Sequence, residues 1–234
     1  MAIAYTTKMA TNSIGFVNQI PVTVPAGGFS AGNHLVVTMN AEDGSTSISS
    51  VTDDASNSYS VHSNQHHGSY DLGVASGYLT SGLTAGQKVY VNLNTSAGAA
   101  AAVFEFSGGL SSGWFDKTSS GNTAFDVTFD SGLTATTTQA DEMLFGAAIG
   151  ETGSAVTGSP GGSYSELQDT TGSGVRYAEY RIVSATGTYR ADGGWSTAIA
   201  STATICTFKA SVVIPPVTDE AALRTAHTPV TWRT

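Results

Sequence analysis

The chain has 234 residues, of which 12% are charged and 40% hydrophobic, with a formal net charge of −9 and one cysteine. Such a length buries a sizeable core without crosslinks, and a lone cysteine, Cys206, cannot form an internal disulfide. The acidic balance repels phosphate backbones and anionic headgroups, which argues against nucleic acid and against membrane attachment as partners.

The first residues, MAIAYTTKMATNSIGF, hold no apolar run of signal-peptide length, and no stretch reaches transmembrane length. The expectation is a protein made in a cytoplasm without a signal peptide. Residues 1–12 read as an N-terminal segment. SIGFVNQIPVTVP (13–25) alternates as a strand, with Ile14, Phe16, Ile20, Val22 and Val24 sharing one parity. A turn at Pro25-Ala-Gly-Gly leads into the strand HLVVTMN (34–40). SISSVTD and SYSVH are short strands around a polar segment. YDLGVASGYL (70–79) alternates, with Gly73 and Gly77 weakening it or marking bulges. KVYVNLNT places Val89, Val91 and Leu93 on one face, and GAAAAVFEFSG follows as a compact apolar strand.

Leu110–Phe129 reads as a long surface excursion carrying Trp114 and Phe115. GLTATTT reads as a Thr-rich strand and DEMLFGAAIG (141–150) as a buried one. VRYAEYRIVSATG alternates, Asp192-Gly193-Gly194 reads as a turn, and TATICTFKASVVI closes the body with Cys206 as a small core hydrophobe. About a dozen short strands between Gly, Pro, Asn and Asp turns predict an all-β fold, a two-sheet antiparallel β-sandwich of jelly-roll-like type. A break near residue 108 would divide two small sandwiches. The absence of linker composition favours one domain over residues 13–214. Pro215-Pro216 ends the strands, and 215–234 reads as a C-terminal arm, a short helix plus an extended tail whose Leu223, Val230 and Trp232 suit docking on a neighbour.

The chemistry-bearing residues concentrate in Val51–Asp71, VTDDASNSYSVHSNQHHGSYD, with His62, His66, His67, Asp53, Asp54 and Asp71. On a strand His66 and His67 point to opposite faces, and HExxH is missing. An EF-hand loop from Asp54 would need Glu where Gln65 stands. The reading is a solvated hairpin rim, without metal or cofactor. Gly28-Phe29-Ser30-Ala31-Gly32 spells GxSxG, yet a strand follows where a nucleophile elbow needs a helix. Glu105, Asp141 and Glu142 are scattered carboxylates that spacing alone does not pair for glycoside hydrolysis. Trp114, Trp195 and Trp232 lie in or near loops and tails, where exposed aromatics stack on sugars or anchor interfaces; Trp195 is equally suited to plugging the sandwich end.

The order VPAGGxxAGNHLVVTM, VTDDASNSY, FEFSG, TTTQADEMLFGAAI, GGxY and a final TFKAS strand resembles a β-sandwich module of tailed-bacteriophage virion proteins, over about residues 13–210. Asn33 stands where that pattern has Asp, and Phe106-Ser-Gly where Tyr is frequent. The resemblance implies a non-enzymatic structural protein located in the virion: a capsid decoration or minor capsid protein that binds the major capsid protein or other virion proteins through a sheet edge and the arm, as a homo-oligomer. Trp114, Phe115, Leu223, Val230 and Trp232 are the expected interface residues. The alternatives are a tail-associated module binding a cell-surface glycan and, after that, a glycan-active β-sandwich enzyme.

Overall fold

A computed structural model describes residues 2–150, 156–170 and 175–211. Its strands are β1 (Ala4–Thr23), β2 (His34–Ala41), β3 (Ile48–Asp53), β4 (Ser58–His67), β5 (Tyr70–Tyr78), β6 (Lys88–Ser107), β7 (Phe115–Asp130), β8 (Asp141–Gly150), β9 (Gly158–Pro160), β10 (Ser165–Thr170), β11 (Val175–Ser184) and β12 (Asp192–Lys209). They form two antiparallel six-stranded sheets. The first has the order β1-β6-β2-β5-β4 with β3 also on β6; the second has β10-β11-β8-β12-β7 with β9 also on β12. The two-sheet sandwich is thus wired sequentially, with strands before residue 108 in one sheet and strands after it in the other.

Strand alternation decides which face each residue serves. Leu35, Val37 and Met39 join Val89, Val91 and Leu93 in a core drawn only from the first half. Their neighbour Val36 faces the other way and joins Phe104 and Phe106 against Phe145, Cys206 and Phe208 of the second sheet. Each ring fully removed from water there contributes about 2 kcal/mol relative to exposure. The outer face of the second sheet is covered by Phe129, Val156, Tyr177 and Trp195 at one end and by Tyr164, Val183 and Ala191 at the other.

Several elements differ from the sequence expectation, each for a physical reason. β1 begins at Ala4, so most of the N-terminal segment is strand. Register shifts between Ile14 and Val17 and between Val17 and Gln19 flip the parity of β1. Ile20 is therefore fully buried while Phe16 is 82% exposed. The excursion at 110–129 is mostly the edge strand β7, which lacks an apolar alternation because it buries little. The Thr-rich segment is not a strand. Ser131, Thr134 and Thr137 donate their amides to Ala191, Tyr189 and Gly187, a period of three rather than two. Asp192-Gly193-Gly194 opens β12 instead of turning: a Cβ on Gly193 would lie 2.4 Å from both the Phe129 ring and the Ser159 carbonyl. Gly73 and Gly77 mark close approach to Ile48 and Tyr59, and the bulge is in β4 opposite, between Val61 and Ser63.

Candidate functional site

The short connection from β6 to β7 brings the two halves together. Lys209 donates its amide to the Trp114 carbonyl, and Leu110 donates to the Lys209 carbonyl, so residues 109–114 are strapped to the end of β12. Trp114, expected to be an exposed anchor, is only 7% exposed. Its indole is stacked between His34 at 3.7 Å and Phe208 at 4.2 Å between ring centroids. Phe115 is half-buried and stacks on His62 at 4.0 Å. These two aromatics do anchor an interface, but within the chain, between its two halves. Trp195 is buried against Phe129 and Tyr177 at the sandwich end. Leu223, Val230 and Trp232, with the whole arm, lie outside the described residues.

A hydrogen-bond chain runs through this junction. An indole N–H only donates, so Trp114 Nε1 gives its hydrogen to Ser76 Oγ at 3.0 Å. The Ser76 hydroxyl is also hydrogen-bonded to His62 Nε2, 2.7 Å away. Burial pushes His62 down to about 4. Burial likewise brings His34 to about 4. The Gly109 and Leu110 backbone lies close enough to favour a charged His34, yet no hydrogen bond of proper geometry reaches either ring nitrogen. Beside this chain opens a groove of about 340 Å³, bordered by Ser58, Ser60, Tyr78, Thr80, Ser111 and Phe115, with His34, His62, Ser76 and Trp114 behind them.

A second constellation lies in the histidine-bearing stretch. His66 and His67 end the strand β4 rather than forming a turn, and Gly68-Ser69 is a two-residue connection to β5. That hairpin sets His66 directly opposite Asp71. His66 Nδ1 meets Asp71 Oδ1 at 2.5 Å, and His66 Nε2 meets Ser47 Oγ at 3.3 Å. Hydroxyl, imidazole and buried carboxylate stand in the order of a nucleophilic serine triad. Acyl transfer also needs donors aimed at the developing oxyanion. Here the amides around Ser47 are already engaged. Ser45 and Thr46 donate to Asp43, Ser47 to Asn94 Oδ1 and Ile48 to Asn64 Oδ1. Burial also raises the Asp71 carboxyl, as does the neighbouring Asp43, which weakens it as a stabiliser of imidazolium charge. The arrangement ties the 42–47 connection to the β4–β5 hairpin.

The other carboxylates are structural. Glu105 accepts from Ser30 N, Asn33 Nδ2 and Thr6 Oγ1 and pairs with Lys8 at 3.3 Å. Burial alone would raise its pKa, and these donors bring it down instead. Ser30 of the GxSxG run thus serves as a turn donor, next to Gly28 at φ 64°. Phe104, Phe106 and Met143 face the core between the sheets, so their neighbours Glu105 and Glu142 point to the outer faces of opposite sheets and form no facing pair. Among the described residues, no group of three or more His, Cys, Asp or Glu is arranged to hold a metal ion. Burial pushes the Cys206 thiol up to about 12, which suits a packed hydrophobe. The period-two run Ser56, Ser58, Ser60, His62 was a readable sign of the groove wall; the His34–Trp114–Phe208 stack, built from three distant segments, left none. No family model matches the chain, and neither a curated protein nor a solved structure matches it.

Proposed function

We propose that the protein is a non-enzymatic structural module that assembles with neighbouring subunits through its sheet edges, in the manner of a capsid decoration or minor capsid protein of a tailed phage. The observation that supports this reading is the pair of outer strands. β1 borders the first sheet and carries Phe16 at 82% exposure; β7 borders the second and carries Phe125 at 76%. Single exposed apolar residues are ordinary. Among the described residues no further strand pairs with the outer side of β1 or β7, and exposed apolar residues on such an edge are a template for strand addition by a partner. The phage setting rests on the sequence resemblance and on a Gly/Ser/Thr-rich chain that needs no disulfide. The partners in this reading are the major capsid protein and further copies of the chain, with residues 215–234 extending the contact.

The test is location and edge dependence together. Purified particles from the source are probed by mass spectrometry and by gold-labelled antibody, and label on the head shell is expected. Phe16→Ser with Phe125→Ser should reduce particle occupancy at least tenfold without shifting the melting transition. Particles that lack the chain, or occupancy indifferent to both substitutions, would overturn the reading.

A further inference from the structure

The geometry points to the groove between Tyr78, Ser60 and Phe115 as a binding site for a neutral saccharide, one or two sugar rings in size. It goes beyond assembly, since the groove includes neither Phe16 nor Phe125.

The first observation is charge. Acidic residues outnumber basic ones by 18 to 9 in the chain, yet no Asp, Glu, Lys or Arg lines this groove. Its two histidines are uncharged at neutral pH for reasons given above. A site without charge does not select anionic or cationic ligands, because nothing repays the desolvation of an ion there. The second observation is the lining. Ser58 and Ser60 stand at alternate positions of β4, and Ser56, Ser111 and Thr80, whose hydroxyl donates to Asn57 Oδ1, complete the polar lining. A hydroxyl both donates and accepts, so such a row matches the hydroxyls of a sugar in either sense. Tyr78 and Phe115 supply aromatic surface of the kind that covers the C–H face of a pyranose. The third is an orphaned polar group. His34 is fully buried, lines the groove, and has both ring nitrogens without a hydrogen bond of good geometry. Few buried polar groups in native interiors lack such a partner. The volume of about 340 Å³ falls at the small end of ligand sites.

The experiment uses the full chain. Saturation-transfer NMR is run with glucose, galactose, N-acetylglucosamine and their disaccharides, and with glucuronic and sialic acids as charged counterparts. At least one neutral sugar is expected to bind in the millimolar range or tighter and to outcompete the acids at least tenfold. Ser60 is exposed, so Ser60→Trp fills the groove without touching the core and should abolish the signal. Tyr78→Ala should weaken binding about tenfold while Ser49→Trp, on the exposed surface outside the groove, leaves it unchanged. Absence of binding by every neutral sugar, preference for the acids, or binding that survives Ser60→Trp would each overturn the assignment.

Discussion

Four buried acidic side chains, two from each half of the molecule, are held in opposite ways. In the first half Asp53 accepts from the amides of Ala55 and Asn57, from Asn57 Nδ2 and from Tyr59 Oη at 2.7 Å. Glu105 is similarly surrounded. In the second half Glu142 and Glu179 are fully buried, and none of their oxygens has a hydrogen bond of good geometry. Burial, then the Asp192 charge, pushes Glu179 up to about 9; burial, then the interplay with Thr207 and Asp116, brings Glu142 to about 7. A buried carboxylate supplied with donors fastens loops to strands. One without well-placed donors keeps its proton to higher pH and makes its sheet sensitive to alkali. Buried carboxylates are thus tethers at Asp53 and Glu105 and liabilities at Glu142 and Glu179.

The largest break in this comparison comes from removing a tether. Asp53→Ala leaves the Asn57 and Tyr59 donors buried without an acceptor, and should cost about 4 kcal/mol in a urea titration at pH 7. A loss below about 1 kcal/mol would mean that water replaces the carboxylate and that the first half is not held as described.

Next in size is the liability. An ordinary Glu titrates near 4.3, whereas Glu179 in the folded chain titrates near 9. Between those values the folded state holds a proton that the unfolded state has released. Stability is therefore full below the lower value and falls as pH rises towards the higher one. Glu179→Gln removes this dependence. Relative to wild type it should gain on the order of 3 kcal/mol between pH 5 and pH 8. Parallel curves for the two proteins would show that Glu179 ionises freely in the fold. Gly146 is part of the same arrangement, because a Cβ there would lie 2.9 Å from Glu179 Cγ; Gly146→Ala should displace the side chain and flatten the curve as well.

The first half has the reverse dependence, from histidines. His34 and His62 fall to about 4 in the fold and titrate near 6.5 when unfolded. The unfolded chain takes up protons first, so stability is present above 6.5 and declines as pH falls towards 4. His34→Gln should remove on the order of 2 kcal/mol of that acid loss, read as the change between pH 7 and pH 4 relative to wild type. The histidine and glutamate windows overlap between about 4.5 and 6.5, where their slopes oppose. Single variants, not the wild-type profile, therefore separate the halves.

How much of this was legible follows from the range of the interactions. The Val89, Val91, Leu93 face and the burial of Cys206 were readable because parity and composition are local. Phe16 was misread because two bulges reset parity, and a bulge depends on the partner strand. Trp114 looked like a loop aromatic; its burial depends on His34 and Phe208, some 80 and 94 positions away in the chain. His66 facing Asp71 was within reach of the sequence, since the two-residue turn Gly68-Ser69 fixes that pairing. Ser47 joins them only through the 42–47 connection, which is ordered by the Asp43 side chain.

That relay gives the smallest expected effect. Ser47→Ala removes one 3.3 Å hydrogen bond at an exposed rim and should cost no more than about 0.5 kcal/mol. Reaction with a fluorophosphonate probe asks more of the site. Attack by Ser47 Oγ would place negative charge on the phosphoryl oxygen, and the surrounding amides point to Asp43, Asn94 and Asn64 instead. The expected result is no labelling of the wild type above the level of Ser47→Ala. Labelling that disappears in Ser47→Ala and in His66→Gln would require an amide near Ser47 to be released from its side-chain acceptor. It would also make the first half's dense hydrogen bonding a reserve of donors as well as a set of tethers.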